Sequence, residues 1–407
     1  MNKLRVKVAI GFLPLIFLLF LTGVSPAPEE ECIYPHLKLF AKVIAIIQKD
    51  YVKEVKVKDL IIGALKGMLA SLDPYSQFMT PEEYKEMKIE TEGKFGGVGM
   101  VITSKEGVII VVSPIEGTPA FRAGIKPGDK IIEIDGKSTK GWSTSKAAQT
   151  LRGEPGTKVT IKIWREKENL VKKITLTREI IHIKSVKGPE KLEEGIFYVR
   201  ITAFREDTSQ ELKKALEKAK KEGMEYLVLD LRNNPGGLLD EAVKIADLFL
   251  PKGKVVVYTQ GRNKKDRKDF VATSPPSFTF SKPIVILVNR GSASASEIVA
   301  GALQAWDVAK TLGERTFGKG SVQSILPVEG DYHLRLTTAH YYTPKDICIE
   351  GKGLEPDIKV PLSKEEERKM LEAFIEGRWK EDIYIQKALE ILTGKKKEEG
   401  EKKVDQG

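Results

Sequence analysis

The chain has 407 residues, 41% hydrophobic and 30% charged, with 35 Gly, 20 Pro and 2 Cys. At about 100–200 residues per domain this length suits two or three domains with ordinary cores, which excludes a chain disordered throughout, a disulfide scaffold and a collagen-like repeat. The formal charge of +10 comes from 67 Lys and Arg against 57 Asp and Glu, so a soluble surface of mixed sign is expected and a dedicated nucleic-acid binder is not.

Lys3, Arg5 and Lys7 precede an apolar run from Val8 to Val24, the pattern of a secretory signal. Ser25 and Ala27 offer small residues for cleavage, whereas Pro26 and Pro28 crowd the cut, and a run of roughly 17 residues approaches the lower limit for crossing a bilayer. A cleaved signal peptide and a retained anchor at residues 8–24 both stay open. Either one predicts export to the periplasm or cell envelope. Cys32 and Cys348 stand as one possible disulfide or two thiols, and the four histidines lack ligand spacing, so no metal and no cofactor are expected.

Apolar stripes at Leu37, Phe40, Val43, Ile44 and Ile47, then Leu60, Ile61, Leu65, Met68 and Leu69, predict helices that stop at Leu72-Asp73-Pro74. Such an arm serves either as an oligomer surface or as packing for the chain's own core. From Phe95 to about Thr177 short β runs take over: Val108 to Val112, Lys130 to Ile134 and Val159 to Ile163, with turns at Asp135-Gly136 and Pro155-Gly156 and a helix from Trp142 to Leu151. The ordered series Gly97-Val98-Gly99-Met100, Ser113-Pro114, Thr118-Pro119-Ala120, Lys126-Pro127-Gly128-Asp129 and Asp135-Gly136 resembles a bacterial PDZ domain. A Gly-rich loop exposes backbone N–H groups suited to a terminal carboxylate, and the adjoining strand edge pairs with an extended peptide. Gly97, Val98, Gly99 and Met100 are the peptide-binding candidates.

Beyond Phe197 strand and helix alternate, predicting an α/β core with a mainly parallel sheet. Tyr226 to Leu231 and Pro283 to Val288 read as buried strands, and the helix before the first of them begins at a Thr208–Glu211 capping box. The tail after Ser363 returns to charged helix, and Lys395 to Gly407 reads as a disordered, solvated charge run. Gly291-Ser292-Ala293-Ser294-Ala295-Ser296-Glu297 lies between a strand and a helix, where a serine is either a plain cap or a hydroxyl favoured by the helix dipole. Lys319, between Gly318 and Gly320, is either a surface charge or a buried amine able to take a serine's proton. His333 and His340 leave a Ser–His reading as the lesser alternative.

Taken together, Asp230 to Gly237, Asn289 to Ile298, Thr316 to Gln323, Tyr341-Tyr342-Thr343-Pro344 and Gly353 to Asp357 resemble the carboxyl-terminal processing (tail-specific) protease family. The likeness implies a multidomain α/β protein: a ClpP/crotonase-like protease core with an inserted β-rich PDZ domain and an N-terminal helical arm. Its divisions would be a signal peptide or anchor at 1–27, the arm at 28–92, PDZ at 93–182, the core at 183–363 and a charged helical extension at 364–407. It implies Ser294 as nucleophile, Lys319 as general base, Gln323 as the residue orienting the lysine, and an oxyanion hole of Ala295 with Gly236 or Gly237. Arg152, in the Leu151-Arg152-Gly153-Glu154 turn, is a regulatory candidate. The implied substrates are proteins with apolar C-terminal tails, and the implied assembly is a homo-oligomer through the N-terminal helices. The competing readings are a PDZ scaffold or chaperone-like tail binder without significant proteolysis, and crotonase-like acyl-CoA chemistry, which needs neither a Ser–Lys pair nor a PDZ module.

Overall fold

The computed structural model describes residues 32–375 and 381–394. The expected export segment and the charged tail from Lys395 lie outside the described residues. The chain divides into two units, residues 1–64 and 65–407. In the first, Ile33–Asp50 is a helix without a buried residue; Ile33, Leu37, Phe40, Val43 and Ile46 all stand exposed. No helix among the described residues is long and apolar enough to cross a membrane.

In the second unit Thr80 and Glu83 form a reciprocal capping box at the start of helix Pro81–Glu92, with hydrogen bonds of 2.9 and 3.3 Å, and Gly93 ends the helix in the left-handed conformation. The chain then enters an antiparallel sheet ordered Met100–Lys105, Val108–Pro114, Lys130–Ile134, Lys158–Arg165 and Leu170–Thr177. Alternation puts Ile109, Val111, Ile161 and Ile163 into one closed core, and a register shift between Ile131 and Glu133 lets Ile131 and Ile134 both join it. Ser143 caps the helix Thr144–Leu151, so Trp142 precedes the helix expected to contain it and packs at the core's margin. Met100–Lys105 is an edge strand, and the helix Thr144–Leu151 runs beside it.

The main sheet runs Val186–Glu193, Ile196–Ile201, Tyr226–Asp230, Ile284–Val288, Ala309–Gly313 and Ile358–Lys359, parallel except at its first pair. Successive side chains point to opposite faces. Leu227 and Leu229 join a core with the helices Thr208–Lys221, Leu239–Asp247 and Ala295–Ala305, while Val228 faces the helix Ile383–Thr393. The capping box expected at Thr208 and Glu211 does not form. The Thr208 hydroxyl bonds with Arg205, and the Glu211 carboxylate accepts the N–H groups of Ser185 and Val186 at 2.8 and 3.0 Å, so tertiary partners take both side chains.

A second sheet, entirely antiparallel, lies outside what the alternation of strand and helix predicted. It joins Gln77–Met79, Val255–Gly261, Lys268–Val271, Ser321–Pro327 and the long strand His333–Tyr342. Through it the short segment of residues 73–79 reaches the strand His333–Tyr342, which in turn pairs with the strand that follows Lys319.

Candidate active site and peptide cleft

Strand Ile284–Val288 ends at Asn289, and the chain turns through Gly291-Ser292-Ala293 into the helix Ala295–Ala305. At that turn Ser294 has φ 54° and ψ −116°, a conformation L residues rarely adopt. It is held there by Glu297, which is fully buried and whose Oε2 accepts the Ser294 N–H at 2.8 Å. The same oxygen accepts the Lys319 N–H at 2.9 Å, while Oε1 takes the Gly318 N–H at 2.8 Å and the Thr316 hydroxyl. One carboxylate thus ties the backbone of the serine turn to that of the lysine turn. Burial pushes the Glu297 carboxyl above its ordinary value, and the four donors work in the opposite direction.

Lys319 is half-buried, and burial pushes its amine below the usual lysine value, Arg335 adding to this and Glu350 opposing it. The hydroxyl of buried Tyr341 bonds the Lys319 carbonyl and also meets the Ser294 hydroxyl. Gln323 does not reach the lysine among the hydrogen bonds of the described residues: its amide nitrogen donates to Ser321 Oγ at 2.9 Å and Thr337 Oγ1 at 3.3 Å. A β-bulge between Val322 and Gln323 accompanies that orientation. His333 is stacked on Tyr84 with ring centroids 3.6 Å apart, and His340 is exposed; neither bonds to Ser294 among the described residues.

The loop after Asp230 completes the site. Buried Asn234 bonds Ile201 O through Nδ2 at 2.8 Å and accepts the Gly236 N–H through Oδ1 at 2.9 Å. Its carbonyl takes the Ala293 N–H at 3.0 Å, which pins this loop against the serine turn. The Gly236 N–H is therefore spent, whereas among the described residues the N–H groups of Gly237 and Ala295 have no hydrogen-bond partner. A Cβ on Gly236 would lie 2.7 Å from Ser294 Cβ, so only glycine admits this approach.

In the β-rich module Phe95, Gly97, Val98, Gly99, Met100, Ile102, Ala148, Leu151 and Arg152 line one cleft between the edge strand and its helix. Gly99 has φ 75°, and its carbonyl accepts from Ile115 N–H and the Thr118 hydroxyl, both at 2.9 Å, fixing the loop. Arg152 stands at the cleft's end, over the Phe95 ring at 4.9 Å and paired with Glu86 of the helix Pro81–Glu92.

Residues 195–360 match the model of peptidase family S41, residues 110–165 that of a PDZ domain, and residues 25–83 that of the N-terminal domain of the activating protease CtpB. Over 336 residues the chain is 43% identical to a carboxy-terminal-processing protease of Bartonella bacilliformis, covering 82% of this chain and 76% of that one. The chain belongs to peptidase family S41. This S41 peptidase is also 41% identical over 332 residues to a "Probable CtpA-like serine protease" of Staphylococcus aureus, covering 81% of its own length and 66% of the relative's. Among solved structures, a photosystem II D1 C-terminal processing protease aligns with 79% of the S41 chain and 92% of its own at 28% identity, with a TM-score of 0.47. The expected class is met: an S41 carboxy-terminal-processing serine protease with a PDZ domain. Glu297, Asn234 and Tyr341 escaped the sequence reading; for Glu297 the signal was present, an acid three residues after a serine at a helix start.

Proposed function

We propose that the protein is an exported endopeptidase of the cell envelope that captures apolar protein tails in its PDZ cleft and cleaves them with Ser294 and Lys319. The observation that carries this is the shared Glu297 oxygen, which holds the serine and lysine turns side by side. Ser294 Oγ attacks the peptide carbonyl as its proton passes to the neutral Lys319 amine, and the carbonyl π electrons move onto oxygen. The N–H groups of Ala295 and Gly237 receive that oxyanion, because both lie in the segments beside Ser294 and have no hydrogen-bond partner among the described residues. The lysine ammonium then gives its proton to the leaving amine as the C–N bond breaks, and water repeats the cycle on the acyl-enzyme. Gln323 acts on the strand that follows the lysine, through Ser321 and Thr337.

The deciding experiment is cleavage of an unstructured protein ending in apolar residues. Ser294→Ala and Lys319→Ala each abolish it while tail binding persists. Cleavage surviving in Lys319→Ala would remove the lysine mechanism, and binding without cleavage by the unaltered protein would establish the scaffold reading instead.

Envelope location follows from Lys3, Arg5 and Lys7 ahead of the apolar run, and recovery of the full-length chain in the cytoplasmic fraction would refute it. Self-association follows from the exposed apolar residues of Ile33–Asp50. Light scattering should report an oligomer that dissociates when residues 28–90 are removed. Arg152 lines the PDZ cleft and pairs with Glu86, whose helix leads to the strand Gln77–Met79, so cleft occupancy is read toward the core along that route.

A further inference from the structure

The side-chain amine of Lys319 has, among the described residues, neither a hydrogen bond nor an ion pair; the contact it makes is with the face of the Tyr75 ring, whose centroid lies 4.6 Å away. Tyr75 comes from Leu72-Asp73-Pro74-Tyr75-Ser76, a stretch remote in sequence from the catalytic turns, and its position is strongly determined. Asp73 Oδ1 accepts the N–H groups of Tyr75 and Ser76, each at 2.7 Å, and Asp73 Oδ2 accepts the Ser76 hydroxyl at 2.7 Å. Ser76 Oγ in turn accepts the Thr337 N–H at 3.1 Å, and Thr337 Oγ1 accepts from the Gln323 amide. The turn at residues 73–76 is therefore strapped to the strand His333–Tyr342, opposite the strand that begins two residues after Lys319.

We propose that Tyr75 is the positioning residue for the general base: its ring face holds the Lys319 amine and supports the ammonium that exists between proton uptake from Ser294 and proton delivery to the leaving amine. The physical argument is one of graded strength. A carboxylate hydrogen-bonded to the lysine would keep it permanently protonated, and a purely aliphatic wall would give the ammonium no support. An aromatic face attracts the cation while accepting no proton, so it aids the charged state without preventing return to the neutral one. The other groups facing the pair are Arg335 on the strand His333–Tyr342, Glu350 in the segment after it, Glu297 on the helix Ala295–Ala305, and Asp73 on the turn itself. These are unchanged in the test below.

The proposal rests on Lys319 being the base, so Lys319→Ala is run beside it: activity surviving there refutes the base assignment and with it this role. The main test replaces Tyr75 in the full chain by phenylalanine and then by phenylalanines of increasing ring fluorination, which keep the shape but weaken the negative ring face. Tyr75→Phe should stay within about threefold of the unaltered enzyme, since the face is retained. Across the fluorinated series the acid limb of kcat/KM should move progressively to lower pH, by roughly 0.5–1 unit in total, as the ammonium loses its partner. Tyr75→Leu should lower kcat about tenfold with KM within about twofold, because the amine loses its orientation rather than the site its substrate. With Lys319→Ala inactive, an acid limb that does not move across the series overturns the proposal, as does a Tyr75→Phe variant as impaired as Tyr75→Leu. The fluorinated series retains the packing volume, so a Tyr75→Leu chain that fails to fold leaves the decision with the series.

Discussion

At the serine–lysine site a fully buried carboxylate, Glu297, binds four donors from two turns, and the facing loop is pinned by fully buried Asn234. In the PDZ cleft the walls are one edge strand and one short helix, and the charged residue at its end, Arg152, meets Glu86 in a half-exposed pair. The contrast follows from the two tasks. Cleavage needs reacting atoms held to a fraction of an ångström, and that precision comes from satisfied groups away from water, where an unpaired partner is costly. Tail capture needs an open strand edge and tolerates rearrangement. Damage to the core site should therefore be close to all-or-none, and damage to the cleft should be graded.

The strongest way to break that contrast is Glu297→Ala. It leaves the Ser294, Gly318 and Lys319 N–H groups without their acceptor, so kcat/KM should fall by at least about 100-fold. Fluorescence anisotropy with a tail peptide should show PDZ binding unchanged within about twofold. A parallel collapse of binding would mean that the serine–lysine site and the PDZ cleft form one cooperative unit.

Next in size is the buried ion cluster at the start of the loop that carries Asn234 and Gly236. Arg232 bonds Asp230 at 2.7 Å and Asp382, which caps the helix Ile383–Thr393, at 2.8 Å. Asp382→Ala removes one partner of a buried guanidinium and should cost about 3–5 kcal/mol in urea unfolding. Asp230 sharpens the same point through pH. Burial pushes its carboxyl up, but the Arg232 guanidinium more than offsets this and holds it below the ordinary value of 3.8. A folded value below the unfolded one gives stability that is present above the unfolded value and lost as pH falls below it, so acid melting should steepen under about pH 4. Asp230→Asn should flatten that loss.

The smallest expected effect belongs to Arg152→Ala. Its half-exposed pair contributes less than about 1 kcal/mol, so the melting curve should barely move. Stimulation of cleavage by a free tail peptide should weaken, and unchanged stimulation would leave Arg152 without a regulatory role.

Much of this arrangement was legible before any fold was known. The short strands at Val108, Lys130 and Val159, the Gly-rich loop at Gly97–Gly99 and the serine turn after Ile284–Val288 all follow from local chemistry: β-rich runs, small residues and a strand meeting a helix. The choice between Gly236 and Gly237 was not legible, because it depends on where the Asn234 side chain turns. The Thr208–Glu211 box failed for a related reason: a motif written in four residues was outbid by acceptor-seeking N–H groups of Ser185 and Val186, more than twenty positions away. The antiparallel sheet was missed because its five strands come from three distant parts of the chain, near residues 77–79, 255–271 and 321–342.

What the sequence determined by itself is the kind of chemistry available. It carries four histidines without ligand spacing, a serine at a helix start and a lysine between glycines, and these residue types narrow the reaction before any contact is known. Tertiary structure alone decided how they meet. Ser294 and Lys319 share an oxygen of Glu297, and Tyr75, from the far end of the chain's second unit, covers the amine. Residue type sets what a group can donate, accept or lose; burial and partner set whether it does so, and both of those arise only when segments distant in sequence pack together.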